Sequence, residues 1–321
     1  MKLVDIPSER TLLSMEPVDG DLALSQVLRP KTWDEYVGHE RQKALAQRLL
    51  AAATARGEVP DHILLYGPPG LGKTVMADLI RNEREFSIAI QASIPLSQLQ
   101  AVITTCRHGE ALFIDEIHSL SLPGAESVQI GMEGGYVGLK KRPLPFMLLA
   151  ATTKFGKMPD TLRDRFGLTL HLDYYPESEI KEVCLRSAEK LNMELRPKSA
   201  EELALRSRGV PRIANRLLRR VRDVTDDPKP AQVKKTLAEL GVDSWGMDDG
   251  DRRLLMLLFD RFDGGPVGVR TLAAAAGHEE RTLLEAFEPY LLRQQIIDVV
   301  PRGRQLTAKG QLYCQEVAKV S

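Results

Sequence analysis

"LLYGPPGLGKTVMADLI" (residues 64–80) decides the reading of this chain. It opens inside "HILLY" (62–66), an apolar run short enough for a buried strand and bounded by turn residues. Gly67-Pro68-Pro69-Gly70-Leu71-Gly72-Lys73-Thr74 follows and matches the G-x-x-x-x-G-K-[ST] phosphate loop in full. Gly70 and Gly72 let backbone N–H groups approach phosphate oxygens with no Cβ in the way. "KTVMADLIR" then starts a helix whose positive end faces those phosphates. Lys73 is placed to reach the β- and γ-phosphates, and Thr74 to set its hydroxyl on Mg²⁺. A Gly/Pro turn with a chance lysine is the bland alternative. The complete pattern between a strand and a helix argues against it.

Two further strands bring polar groups to their C-terminal ends. "ALFIDEIH" (111–118) ends in adjacent carboxylates. Asp115 suits the Mg²⁺ shell, and Glu116 suits general-base activation of water. Alone, such a pair reads as a solvated strand end; after a phosphate loop it reads as the hydrolytic half of one site. "FMLLAATT" (146–153) ends in Thr152 and Thr153, and Thr153 is placed for the γ-phosphate or the attacking water. Its bland reading is a strand-end cap. Ligands of open parallel α/β sheets sit at such ends.

The rest of the chain sets bounds. Its 321 residues suffice for two or three domains. A hydrophobic content of 43% and a charged content of 27% describe an ordinary globular protein. With 44 basic and 44 acidic residues the net charge is zero, so any nucleic-acid contact rests on local patches. Cys106, Cys184 and Cys314 are far apart and odd in number, which points to no disulfide framework and to a reducing cytoplasm. No apolar stretch reads as a signal peptide or a membrane span.

"LRDRFG" (162–167) places two arginines beside an aromatic, and "GVPRIANRLLRRVRD" (209–223) places Arg212 at the start of a strongly basic helix. Basic helix faces are usually solvated or paired with acids, so Arg216, Arg219, Arg220 and Arg222 are not assigned to DNA.

Together, "LRPKTWDEYVGHE", "GPPGLGKT", "LFIDEIH", "ATT", "LRDRFG", "SRGVPRIANRLLRRVRD" and a C-terminal "PRGR" resemble the RuvB family. These are hexameric AAA+ motors of Holliday-junction branch migration. The resemblance spans residues 28 to about 310, and "PRIANRLLRRVRD" and "PRGR" are its most specific parts. It implies ATP with Mg²⁺, with Leu28, Arg29, Tyr36, Val37 and Tyr175 on the base side. Gly70, Gly72, Lys73, Thr74 and Val75 take the phosphate side, with Thr74 and Asp115 on the metal. Thr153 matches the first sensor, Arg212 the second, and Arg165 the arginine finger that acts on a neighbouring subunit. Arg302 and Arg304, with Arg293 as a partial substitute, fall in the DNA-contacting wing.

Three departures stand out. Val75 replaces a second threonine. The stretch "MEGGYVGLKKRPLP" (132–145) is shorter than the family's projecting hairpin and has Gly134 in place of an aspartate. In the family that hairpin docks RuvA, so a RuvA-type partner is left open here. The wing also carries Asp298-Val299-Val300 where the family tends to add an arginine.

The expected architecture is a parallel α/β P-loop AAA+ core with helices on both faces, then a helical lid and a C-terminal winged helix. The expected bounds are an extension over 1–27, the core over 28–176, the lid over 177–245 and the winged helix over 246–321. The expected partners are duplex or four-way-junction DNA and copies of the chain itself. Rival readings are an ATP switch on DNA whose hydrolysis only resets assembly, a clamp-loader-like subunit and a protein remodeller. The last lacks a convincing aromatic pore loop.

Overall fold

A computed structural model describes residues 13–15, 26–84, 86–138 and 142–320. Most of the expected N-terminal extension, and residues 139–141 of the shortened stretch, lie outside the described residues. The chain divides into two compact units, residues 26–179 and residues 180–320 with 13–15.

The first unit is a five-stranded parallel sheet in the order β2-β3-β4-β1-β5. The strands are β1 (Ile63–Tyr66), β2 (Ser87–Gln91), β3 (Ala111–Asp115), β4 (Met147–Thr152) and β5 (Leu168–His171). The helices are α1 (Glu40–Arg56), α2 (Lys73–Asn82), α3 (Leu96–Thr105), α4 (Leu122–Met132) and the single turn α5 (Asp160–Arg163). Central β4 is buried at every residue, as a strand covered on both faces must be. Edge strand β2 alternates exposed and half-buried residues instead. Leu64, Leu112, Ile114, Leu148 and Ala150 share one sheet face and pack with Leu99, Ile103 and Val128 of α3 and α4. Helix α2 crosses β1, β3 and β4.

This strand order gathers the chemistry. β3, β4 and β1 are neighbours and run in parallel, so their C-terminal ends form one edge. The loops after them carry Asp115-Glu116, Thr153 and Gly67–Thr74. β2 and β5 were not read from the sequence. The described part of the shortened stretch after α4 contains no strand.

The second unit continues α6 (Glu177–Lys190), whose first turn follows Pro176, into α7 (Pro197–Arg206), α8 (Pro211–Arg222) and α9 (Pro230–Glu239). α7, α8 and α9 each begin on proline, which has no N–H to lose there and a φ already set for a helix. α10 (Asp249–Phe262) starts with a capping box: Asp248 accepts from the Asp251 N–H at 2.9 Å, and Asp251 accepts from the Asp248 N–H at 3.0 Å. α11 (Val269–Ala276), α12 (Glu280–Thr282), α13 (Glu288–Arg293), the hairpin β6 (Ile297–Val300) and β7 (Gly303–Leu306), and α14 (Ala308–Val320) follow.

The helical stretch from Glu280 to Arg293 is interrupted by a π-helical turn at Leu283–Phe287. Pro289 has no N–H and its ring would strike the Glu285 carbonyl in a regular α-helix, and a π turn relieves that clash. Arg208 ties the lid helices to the winged part of the same unit. It pairs with Asp251, donates to the Gly246 carbonyl at 3.1 Å, and lies 4.3 Å over the Tyr290 ring. The three cysteines are free and buried, and burial pushes each thiol up to about 12. Among the described residues no helix is long and apolar enough to cross a membrane.

Candidate functional site

The phosphate loop leaves β1 through Gly67 (φ 147°) and enters α2 through Gly72 (φ 91°). A Cβ on Gly67 would sit 2.0 Å from the Leu172 carbonyl oxygen, and one on Gly72 would sit 2.9 Å from the Tyr36 hydroxyl. Glycine is therefore required at both places, by backbone angle and by space. Lys73, only 6% exposed, donates through Nζ to the carbonyls of Gly67 and Pro68, both at 2.8 Å. Those bonds offset the cost of burying an ammonium. The loop thus surrounds a cation with left-handed turns at a helix N-terminus, a donor set that fits a polyphosphate.

Thr74 and Asp115 meet across the sheet edge: the Thr74 hydroxyl donates to Asp115 Oδ2 at 3.3 Å. Asp115 Oδ1 accepts from the Glu116 N–H at 3.0 Å. Burial, then the Glu116 charge, raises the Asp115 carboxyl, and Thr74 and Lys73 pull it back. One hydroxyl and one carboxylate suit Mg²⁺, which takes few protein ligands and completes its shell with water and phosphate oxygens.

Glu116 stands in the left-handed region (φ 51°), just before a 3-10 turn at Ile117–Ser119. Its Oε2 accepts from the Thr153 N–H and the Thr153 hydroxyl, each at 3.0 Å. His118 Nδ1 lies 3.1 Å from the same oxygen and 2.9 Å from the Thr152 hydroxyl. Burial lowers the His118 pKa, with Lys154 and Lys157 adding to the effect against the opposing pull of Glu116, so the ring is neutral. The structure therefore brings Lys73, Thr74, Asp115, Glu116 and Thr153 together. It adds His118, to which sequence reasoning gave no place, and Thr152, which it named as a strand end but gave no role.

On the base side, Leu28 and Tyr36 are buried, while Val37 and Val75 are half-buried. The Tyr175 hydroxyl donates to the Tyr36 hydroxyl at 3.3 Å and lies 3.5 Å from the Leu71 carbonyl, under the phosphate loop. The His39 ring meets Tyr175 edge-on at 4.5 Å, and burial pulls the imidazole down to about 4. Arg29 pairs with Asp78 of α2, and Asp78 also takes Arg81 at 3.1 Å.

The outlying arginines divide. Arg165 is exposed and pairs with Glu133 at the end of α4. Arg212 belongs to the second unit, where it donates to the Met15 carbonyl at 2.9 Å. Arg216 donates to the Ser14 carbonyl at 2.9 Å. Arg302 is exposed in the turn between β6 and β7. Arg304 is engaged by Glu288, and Arg293 donates to the Arg208 carbonyl and lies 5.5 Å over Tyr290. Buried acceptors and a ring face inside the unit hold both side chains.

The chain matches three family models: the Holliday junction DNA helicase RuvB P-loop domain over residues 28–172, the RuvB AAA lid domain over 175–248, and the RuvB C-terminal winged helix domain over 244–315. It is 39% identical over 328 residues to the Holliday junction branch migration complex subunit RuvB of Fusobacterium nucleatum, covering 96% of this chain and 98% of that protein. The subunit of the same name from Rhodococcus erythropolis is 41% identical, covering 95% of this chain and 89% of that protein. The solved RuvB Holliday junction branch migration motor of Thermotoga maritima superposes with a TM-score of 0.81 at 40% identity, covering 90% of this chain and 99% of that one.

Proposed function

Because this chain belongs to the RuvB family, we propose that it is an ATP-driven motor of Holliday-junction branch migration, acting on DNA as a ring of its own copies, six by the family pattern. The observation that carries the reading is the convergence of Lys73, Thr74, Asp115, Glu116 and Thr153 on one sheet edge. A chain that only sensed nucleotide would have no use for Glu116, whose carboxylate is held by three donors on one oxygen.

In this mechanism Lys73 and the loop amides bind the β- and γ-phosphates. Thr74 and Asp115 would hold Mg²⁺, which would supply charge neutralisation to the bound polyphosphate. Glu116 takes the proton of the attacking water, and Thr153 orients it. Arg165 reaches the γ-phosphate bound by a neighbouring subunit, and leaves Glu133 to do so. Arg302 meets a DNA phosphate at the wing tip. The reading in which hydrolysis only resets assembly is less favoured. Relatives matching over nearly their whole length are named as branch-migration subunits and as a motor.

The test is steady-state ATP hydrolysis with and without linear duplex or four-way-junction DNA. DNA should raise the rate, and Lys73→Ala should abolish it. Glu116→Gln should bind ATP while losing about 10²- to 10⁴-fold in turnover. A Glu116→Gln protein that hydrolyses ATP at the wild-type rate removes the base assignment.

A further inference from the structure

Three donors orient the Glu116 carboxylate, and all three converge on Oε2. Two come from Thr153; the third is His118 Nδ1, at 3.1 Å. Oε1 is the oxygen that none of them touches, so the pattern selects one lobe of the carboxylate for the water.

The histidine ring is itself pinned. Nδ1 lies 2.9 Å from the hydroxyl of Thr152, the fully buried last residue of β4. That hydroxyl accepts from the Lys154 N–H at 3.1 Å, and Thr152 sits in register beside Tyr66, the residue before the phosphate loop. The ring position is thus referred to the two central strands of the sheet.

The geometry also assigns the imidazole proton. A bare Nδ1 would aim its lone pair at a carboxylate oxygen 3.1 Å away, which is repulsive. A hydrogen on Nδ1 instead donates to Glu116 Oε2 and to the Thr152 hydroxyl. Nε2 is then the bare nitrogen, 3.5 Å from the Ser119 hydroxyl.

We propose that His118 is a positioning residue for hydrolysis: its Nδ1–H, anchored by Thr152, holds Glu116 through Oε2 and leaves Oε1 to take the proton of water. The inference rests on Glu116 being the general base. It separates His118 from nucleotide binding, since the ring contacts the carboxylate and the strand end rather than the phosphate loop.

Side-chain geometry supplies the test. The amide nitrogen of Asn lies the same number of bonds from Cα as Nδ1, and that of Gln matches Nε2. His118→Ala and His118→Gln should each lower kcat by about 10- to 100-fold, a part of the full general-base effect, with KM for ATP and the Kd of a fluorescent ADP unchanged. His118→Asn should recover kcat to within about 3-fold of wild type, because it restores a donor at the Nδ1 position. In a Glu116→Gln background, His118→Ala should cost nothing further.

The inference is overturned if His118→Ala keeps wild-type kcat, if Gln rescues and Asn does not, or if the loss appears in KM and Kd. A fully active Glu116→Gln protein would remove the base assignment itself. An inactive Glu116→Gln protein beside an active His118→Ala protein removes only the role of His118. Unchanged ADP binding shows that each variant is folded.

Discussion

Arg304 closes a two-pronged ion pair on Glu288, with Nε to Oε1 at 2.6 Å and Nη2 to Oε2 at 3.2 Å. Glu288 is 4% exposed and Arg302, two residues before Arg304, is open to solvent. The two wing arginines therefore have different tasks. Arg304→Ala strands a buried carboxylate and should destabilise the winged domain by about 3–5 kcal/mol. Arg302→Ala should leave the melting temperature unchanged, weaken duplex binding, and reduce the salt dependence of binding by about one counterion. Thermal melting and DNA titrations at several salt concentrations separate the two. Equal loss of stability in both variants would refute the division.

Arg165 is exposed and paired to Glu133 within its own chain, an arrangement that places no constraint against reaching outward. If Arg165 serves a neighbour, its loss should cost about 10³-fold or more in hydrolysis while ATP still binds. Mixing Arg165→Ala with Lys73→Ala subunits should then restore part of the rate. An interface with the phosphate loop of one and the arginine of the other is complete. No recovery in any mixing ratio would place the finger's action within its own subunit.

His39 gives a pH prediction. Burial holds its folded pKa at about 4, against an unfolded value of 6.5. The unfolded chain therefore takes up a proton first as pH falls. Stability supplied by the neutral ring is complete above pH 6.5 and is lost progressively towards pH 4. His39→Gln should flatten that part of the stability curve, as read by urea melts from pH 7 to pH 4. An unchanged slope would show that the ring titrates normally.

Gly38 (φ 78°) lies against Tyr175, and a Cβ there would sit 2.6 Å from its ring and 2.4 Å from Glu179 Oε2. Gly38→Ala should push Tyr175 off Tyr36 and weaken nucleotide binding about tenfold or more, on top of a backbone cost of about 1–2 kcal/mol. Gly134→Ala meets nothing within 4 Å and should show the backbone cost alone. Fluorescent-ADP titrations of the two variants test this, and equal affinities would count against the Tyr36–Tyr175 platform.

The sequence by itself determined the features that depend on short-range spacing. Gly67 to Thr74 must form a phosphate loop because left-handed glycines and a helix start follow each other directly. Asp115 and Glu116 end a strand because the apolar run before them has strand length. Pro211 begins a helix for a local reason too: its φ is already set for one and it has no N–H to lose. Tertiary structure decided what depends on partners distant along the chain. Arg302 and Arg304 look alike in "PRGR", but only packing against Glu288 takes one out of solvent. The histidine of "DEIH" and the first threonine of "ATT" carry no mark of a joint task until β3 and β4 lie side by side. Tyr36 and Tyr175 meet across a separation of 139 residues. The role of a charged or hydrogen-bonding side chain depends on the group it faces, and the fold brings that group into place.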